Sequence, residues 1–427
     1  MSRTAAQLGA VEAAADIRAG RLSSEALVAS CLERIALREP EVQAWAWINP
    51  DQAIAEARAR DREPVRSPLH GIPVGIKDVI DTCDMPTGYG SPIYDGHQPA
   101  ADAACVAQLR ELGAVIIGKT VSTEFATRHP NKTRNPHRLT RTPGGSSSGS
   151  AAAVADHMVP LALGTQTSSS VIRPAAYCGV VGYKPSFGMI NRAGIKFLAE
   201  SLDTIGVLSR TVGDAALLAT QLAGISWNPA AAALSRKPRI AVCRTPFWPL
   251  ADAAMQAALI SAADRLKNAG AELSELELPA MFADMNDLQI AISSYEFYRA
   301  LSHERIRHPG LLSASLSARI AAGGKVSRSD YEAALAATSR CRTWIAAAFA
   351  GFDLIIAPSA PGEAPELSNT GEPTFGLMWT LLQLPCLTLP CGSGPTDLPL
   401  GLQVIAAAGR DPDLYDGAVW IEQQLAR

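Results

Sequence analysis

The sequence predicts an α/β protein with its sheet inside and its helices outside. Short apolar runs bounded by Gly or Pro alternate with Ala-rich segments of helix-forming residues. Residues 70–81, 101–112 and 113–120 read as strand, helix and strand, the length of a right-handed crossover in a parallel or mixed sheet. Over 427 residues, 48% are apolar and 19% charged, which suits a globular chain with a large core and argues against disorder.

In order along the chain, residues 1–62 read as helical. Leu8, Val11 and Ala15 stand near helical spacing before a break at Gly20. Ser23-Ser24-Glu25 caps a second helix with Leu27, Val28, Cys31, Leu32 and Ile35 on one face, and residues 53–62 form a third. Residues 70–81 read as a buried strand with Lys77 set among Ile76, Val79 and Ile80. That stretch alone leaves two readings, a lysine that snorkels to the surface or one held inside by partners. Strands follow at Arg239–Val242, 271–278, 352–358 and 400–405, with helices at 253–269 and 413–425. Residues 227–237 read as a join, and 230–350 as a more helical lobe.

Net charge is −3 without a basic block, so neither nucleic acid nor an anionic membrane has an electrostatic footprint. Eight cysteines include no Cys-x-x-Cys pair and are read as free thiols of a reducing cytosol. No apolar signal core or run of transmembrane length is present, so the expectation is a cytoplasmic protein. The seven histidines are scattered and lack zinc-ligand spacing. No metal or cofactor is expected.

The remaining chemistry is serine chemistry. Residues 144–150 and 167–174 are hydroxyl-rich and flank a short helical stretch at 151–155. The core-like run 158–163 argues against a flexible linker. No Lys follows Gly144–Ser150 as a phosphate loop needs, and Gly145-Ser146-Ser147-Ser148-Gly149 is not preceded by a strand as a nucleophile elbow is. A serine nucleophile needs a base, and Lys77 is the best-placed one if burial lowers its pKa. A second serine can relay the proton because a hydroxyl both donates and accepts.

Three segments resemble the amidase-signature family: residues 71–78 around Lys77, 143–153 through the Ser-Gly run, and 164–179 through Ser170-Val171-Ile172-Arg173-Pro174. Gly182-Tyr183-Lys184-Pro185-Ser186 and Ser201-Leu202-Asp203-Thr204-Ile205-Gly206 continue the match. The chain looks most like the short bacterial malonamidase-type enzymes, from its length and from segments such as Asp84-Met85-Pro86-Thr87. The resemblance implies a single large domain over 63–427 with a central mixed sheet covered by helices on both faces, and residues 1–62 packed on it. It implies an amidase with a Ser–cis-Ser–Lys triad: Ser170 as nucleophile, Ser146 as relay 24 residues earlier, and Lys77 as base. The Gly145–Ser146 bond would be cis. The N–H groups of Thr167, Ser168, Ser169 and Ser170 would form the oxyanion hole. Arg173 would either hold a substrate carboxylate such as that of malonamate, or bind backbone carbonyls. The implied partner is a small amide, and members of the family are often homodimers.

The chain departs from the pattern where Ser168 and Ser169 replace the small residues usual before the nucleophile. A position needing φ > 0 would be strained by a Cβ, so a weak or inactive member is one reading. Gln166 replaces an Asp of one motif variant. A second reading is an amidotransferase A-type subunit working in a complex, against which the chain is short and lacks a basic surface.

Overall fold

The computed structural model describes residues 3–227 and 237–426. Among them eleven strands form one mixed sheet: β1 (Trp45–Ile48), β2 (Pro73–Lys77), β3 (Val115–Thr120), β4 (Leu161–Gln166), β5 (Val181–Lys184), β6 (Thr204–Ser209), β7 (Arg239–Val242), β8 (Glu272–Glu275), β9 (Leu354–Pro358), β10 (Cys386–Ser393) and β11 (Pro399–Ile405). Their order is β1-β3-β2-β4-β6-β5-β10-β11-β9-β7-β8. Strands β3, β2 and β4 run parallel, as do β9, β7 and β8, while the centre from β4 to β9 is antiparallel. The α/β class, the single domain and the helix-flanked mixed sheet agree with the expectation.

β2 to β6 and β9 are buried along their whole length, so the strands expected at 70–81, 113–120 and 352–358 show short apolar runs instead of alternation. Helices start where side chains can take up free N–H groups. Ser23 accepts from Ala26 N to open Ser24–Val42, Asn49 from Gln52 N to open Pro50–Asp61, and Asp252 from Met255 N to open Ala253–Asn268.

Two expectations change. The first 62 residues are not all helix, because Trp45–Ile48 pairs antiparallel with β3 as an edge strand; four residues are too few to show a period. The 230–350 span is mostly helical, yet β7 and β8 within it extend the main sheet. The expected join at 227–237 falls largely outside the described residues. Among the described residues no helix is long and apolar enough to cross a membrane.

Two parallel strands bring the chemistry together. Val74, Gly75 and Ile76 of β2 pair with Leu161, Ala162 and Leu163 of β4. Lys77 and Gln166 therefore end neighbouring strands at their carboxyl ends, where open α/β sheets place ligands. The helix Ser148–Ala155 packs against both strands. Its seat depends on Gly149, where a Cβ would collide with Ala44 O and Val121 N. Gly149→Ala is expected to destabilise the protein by about 1–3 kcal/mol through overpacking, read from the urea midpoint at unchanged m-value.

Candidate active site

Lys77 is fully buried, so the snorkelling reading is excluded. Its Nζ lies 2.7 Å from Ser146 Oγ and 2.8 Å from Thr165 Oγ1. Burial pushes its pKa well below the usual 10.5, opposed only by the more distant charge of Asp203. Two other lysines are fully buried and differ in their partners. Lys119 is paired with Asp78 at 3.3 Å, and Lys184 donates to Pro185 O at 2.7 Å. Lys77, with hydroxyls in place of a carboxylate, has its neutral amine favoured, and that amine has a lone pair to accept the Ser146 proton.

The Gly145–Ser146 peptide bond is cis. Ser146 O accepts from Thr123 N at 3.3 Å, and Gly145 O accepts from Arg173 Nη2 at 2.5 Å. The following serines hold the same turn. Ser147 Oγ donates to Thr165 O at 3.2 Å, Ser148 Oγ accepts from Asn131 Nδ2 at 2.6 Å, and Ser150 Oγ donates to Leu163 O at 2.9 Å.

The loop 167–170 has a one-sided backbone. Each of its carbonyls is taken: Thr167 O by Gln289 Nε2 (2.8 Å), Ser168 O by Thr380 Oγ1 (2.6 Å), Ser169 O by Arg173 N (3.0 Å) and Ser170 O by Ser147 N (3.2 Å). Among the described residues none of the four N–H groups has an acceptor. The next two, Val171 N and Ile172 N, are held by Gln166 Oε1 at 2.8 and 3.0 Å, and Gln166 Nε2 donates to Thr380. The departure at Gln166 thus caps the helix Ile172–Tyr177. What is left is a row of free donors beside Ser170, the arrangement that stabilises an oxyanion. The Ser170 hydroxyl has no hydrogen-bond partner among the described residues, so Lys77 and Ser146 are joined while Ser170 is not bonded to either.

Ser168 and Ser169 do not have positive φ, so the strain expected from their replacing small residues is absent. The Ser169 side chain lies against Gly376, where a Cβ would collide with it. Its hydroxyl is buried without a partner. Ser168 Oγ accepts from Gln289 Nε2 at 3.1 Å.

Arg173 is 2% exposed, and its other terminal nitrogen donates to Gly371 O at 2.8 Å. Burial pulls its pKa down to about 10. Both contacts are those of the carbonyl-binding reading, and Arg173 Nε is buried without a partner.

Asp203 stands in the sequence only as one position of a longer motif, with no role attached. In the fold it accepts from Thr167 Oγ1, and its other oxygen takes Leu198 N and Ala199 N at 2.6 and 3.1 Å. Burial lifts its pKa to about 6. Thr165, Gln289 and Thr380 carry no sequence signal, because their partners come from other elements. Cys83, Asp84 and Asp102 form a group of metal-ligand type, but Arg110 already pairs with both carboxylates.

A family model described as Amidase matches residues 26–415, and the chain belongs to that family. It is an amidase-family enzyme acting on carbon–nitrogen bonds. It is 34% identical to the A-type subunit of the glutamyl-tRNA(Gln) amidotransferase of Anaeromyxobacter sp. (strain K), over 98% of this chain and 96% of that one. The peptide amidase of Stenotrophomonas maltophilia superposes with a TM-score of 0.83 at 30% identity, covering 98% of this chain and 97% of that one. A structure described with a vestigial protein complex and the origins of an s-triazine catabolic enzyme superposes at 0.89 and 28% identity, covering 97% and 98%.

Ser169→Ala removes a desolvated hydroxyl without a partner and is expected to raise stability by about 1 kcal/mol, seen as a higher urea midpoint. Gln166→Ala leaves two N–H groups uncapped and is expected to cost about 1–3 kcal/mol, measured in the same way.

Proposed function

We propose that the protein hydrolyses a small amide through Ser170, Ser146 and Lys77. The observation that carries this reading is the buried Lys77 amine 2.7 Å from the hydroxyl of Ser146. Neutral Lys77 takes the Ser146 proton as Ser146 takes that of Ser170. Ser170 Oγ adds to the amide carbonyl, and the oxyanion is met by the free N–H groups of the loop 167–170. The proton returns through Ser146 to the nitrogen, the C–N bond breaks, and ammonia or an amine leaves. Water then adds to the acyl-enzyme and releases the acid. The absence of positive φ at Ser168 and Ser169 weighs for an active enzyme.

A second reading, an amidotransferase component that passes the released ammonia on within a complex, is favoured by the likeness to the A-type subunit over 98% of the chain. An ammonia-release screen of the isolated protein over malonamate, aliphatic amides, aryl amides and ureas separates the two. Steady turnover by the protein alone supports the hydrolase, and none on any of them counts against it.

Lys77→Ala is expected to remove nearly all amide hydrolysis while the circular dichroism spectrum stays native; wild-type turnover in that variant would sink the assignment. Because protonated Lys77 is inactive and burial lowers its pKa, kcat/KM is expected to rise with pH along a limb whose midpoint lies well below the ordinary lysine value of 10.5. A pH–rate profile with its midpoint at that ordinary value would exclude Lys77 as base.

A further inference from the structure

One buried carboxylate at the end of β4 has no part in the reaction as written. Asp203 immediately precedes β6, whose Thr204 pairs with Gln166 at the end of the antiparallel β4. One step further along that register Asp203 meets Thr167, and its carboxylate accepts the Thr167 hydroxyl. Two residues back, the Thr165 hydroxyl lies 2.8 Å from Lys77 Nζ. A single strand end therefore carries a contact of the base and a contact of the carboxylate.

Asp203 is 3% exposed, so its charge is held by the protein and not by solvent. Burial lifts its pKa to about 6, a rise limited by the Thr167 hydroxyl, the N–H groups of Leu198 and Ala199, and the charge of Arg192. Arg192 is itself fixed. Its Nη1 donates to Glu200 O at 2.7 Å and to Asp203 O at 2.9 Å, and its Cζ stands 4.4 Å from the centroid of the Phe187 ring. The Asp203 charge also reaches Arg319 and Lys77.

Lys77 has a use for such a charge. Burial alone drives its amine neutral, and an amine made too weak a base no longer draws the proton from Ser146. The groups that face Nζ are the hydroxyls of Ser146 and Thr165 and the carbonyl of Thr165, all uncharged, and the charge that opposes burial is that of Asp203. Set apart from Nζ, that charge supports the base without forming an ion pair like Lys119 with Asp78.

We propose that Asp203 is a positioning residue with two tasks: it holds the start of the loop 167–170 through Thr167, and its charge keeps the buried Lys77 amine basic enough to take the Ser146 proton. This rests on reading Lys77 as the base for Ser170.

The pH–rate profile separates these tasks from a merely structural one. Asp203→Asn keeps the shape and removes the negative charge, which disfavours the ammonium form of Lys77. The midpoint of the kcat/KM limb is expected to fall by about one pH unit, the size of one charge acting across a protein interior, and the plateau kcat by about ten-fold. Asp203→Glu restores the charge and is expected to bring the midpoint back. Thr167→Val cuts the contact and leaves the charge, so kcat falls at an unmoved midpoint, with Thr167→Ser between it and the wild type. An unmoved midpoint in Asp203→Asn, or wild-type turnover in Thr167→Val, overturns the proposal. Carbon-13 NMR titration of Lys77 Cε, assigned by its loss in Lys77→Ala, reads the same shift without turnover. If that titration moves in Asp203→Asn while a fluorophosphonate probe labels no serine of the wild type, the serine-hydrolase reading falls and the coupling of Asp203 to Lys77 stands.

Discussion

A fully buried lysine amine with no carboxylate in contact is the constraint on which this site rests. Lys77 ends a strand whose every residue is buried. Charging it there is compensated only by two hydroxyls, a longer contact to Thr165 O at 3.4 Å and the remote Asp203. One strand away, Lys119 meets the same burial with Asp78 beside it and serves as a structural ion pair. The difference between a base and a buried cation is therefore set by the neighbours. At Lys77 those neighbours are Ser146 and Thr165, groups that can both give and take a proton.

The second requirement is a set of hydrogen-bond donors held open without help from the substrate. The loop 167–170 meets it by tying down every carbonyl and leaving the amides free. The ties come from Gln289, Thr380, Arg173 and Ser147, on separate elements. A dipole array fixed from behind needs no reorganisation when charge develops in front of it. Arg173 takes part in this from two directions, through its own N–H on Ser169 O and its guanidinium on Gly145 O. The loop 167–170 and the turn at Gly145–Ser146 thus share one support.

The fold class was legible because β2, β3 and β9 are buried from end to end and read as short apolar strands, whereas β5 and β6 stood in the sequence only as motif residues. Trp45–Ile48 was not, since four residues at a sheet edge show neither period nor length. Lys77, Ser146 and Ser170 could be named because each lies in a local motif. Thr165 and Gln289 could not, because their part is defined by a partner from another element. Arg173 could be named from its motif, but that Gly371 O and Gly145 O each take one of its terminal nitrogens could not, because both acceptors come from other parts of the chain. The caution over Ser168 and Ser169 rested on a backbone angle that residue identity alone does not determine, and that angle proved ordinary.

The ties behind the loop 167–170 also set when the site comes into being. Gln166 is held by Thr380, 214 residues away, and Arg173 by Gly371, 198 away. During synthesis both serines emerge from the ribosome with more than half of the chain still to come. Two of the supports of the loop, Gln289 on Thr167 O and Thr380 on Ser168 O, arrive with the last third. A nascent or truncated chain therefore carries both serines without the ties that Gln289, Gly371 and Thr380 supply.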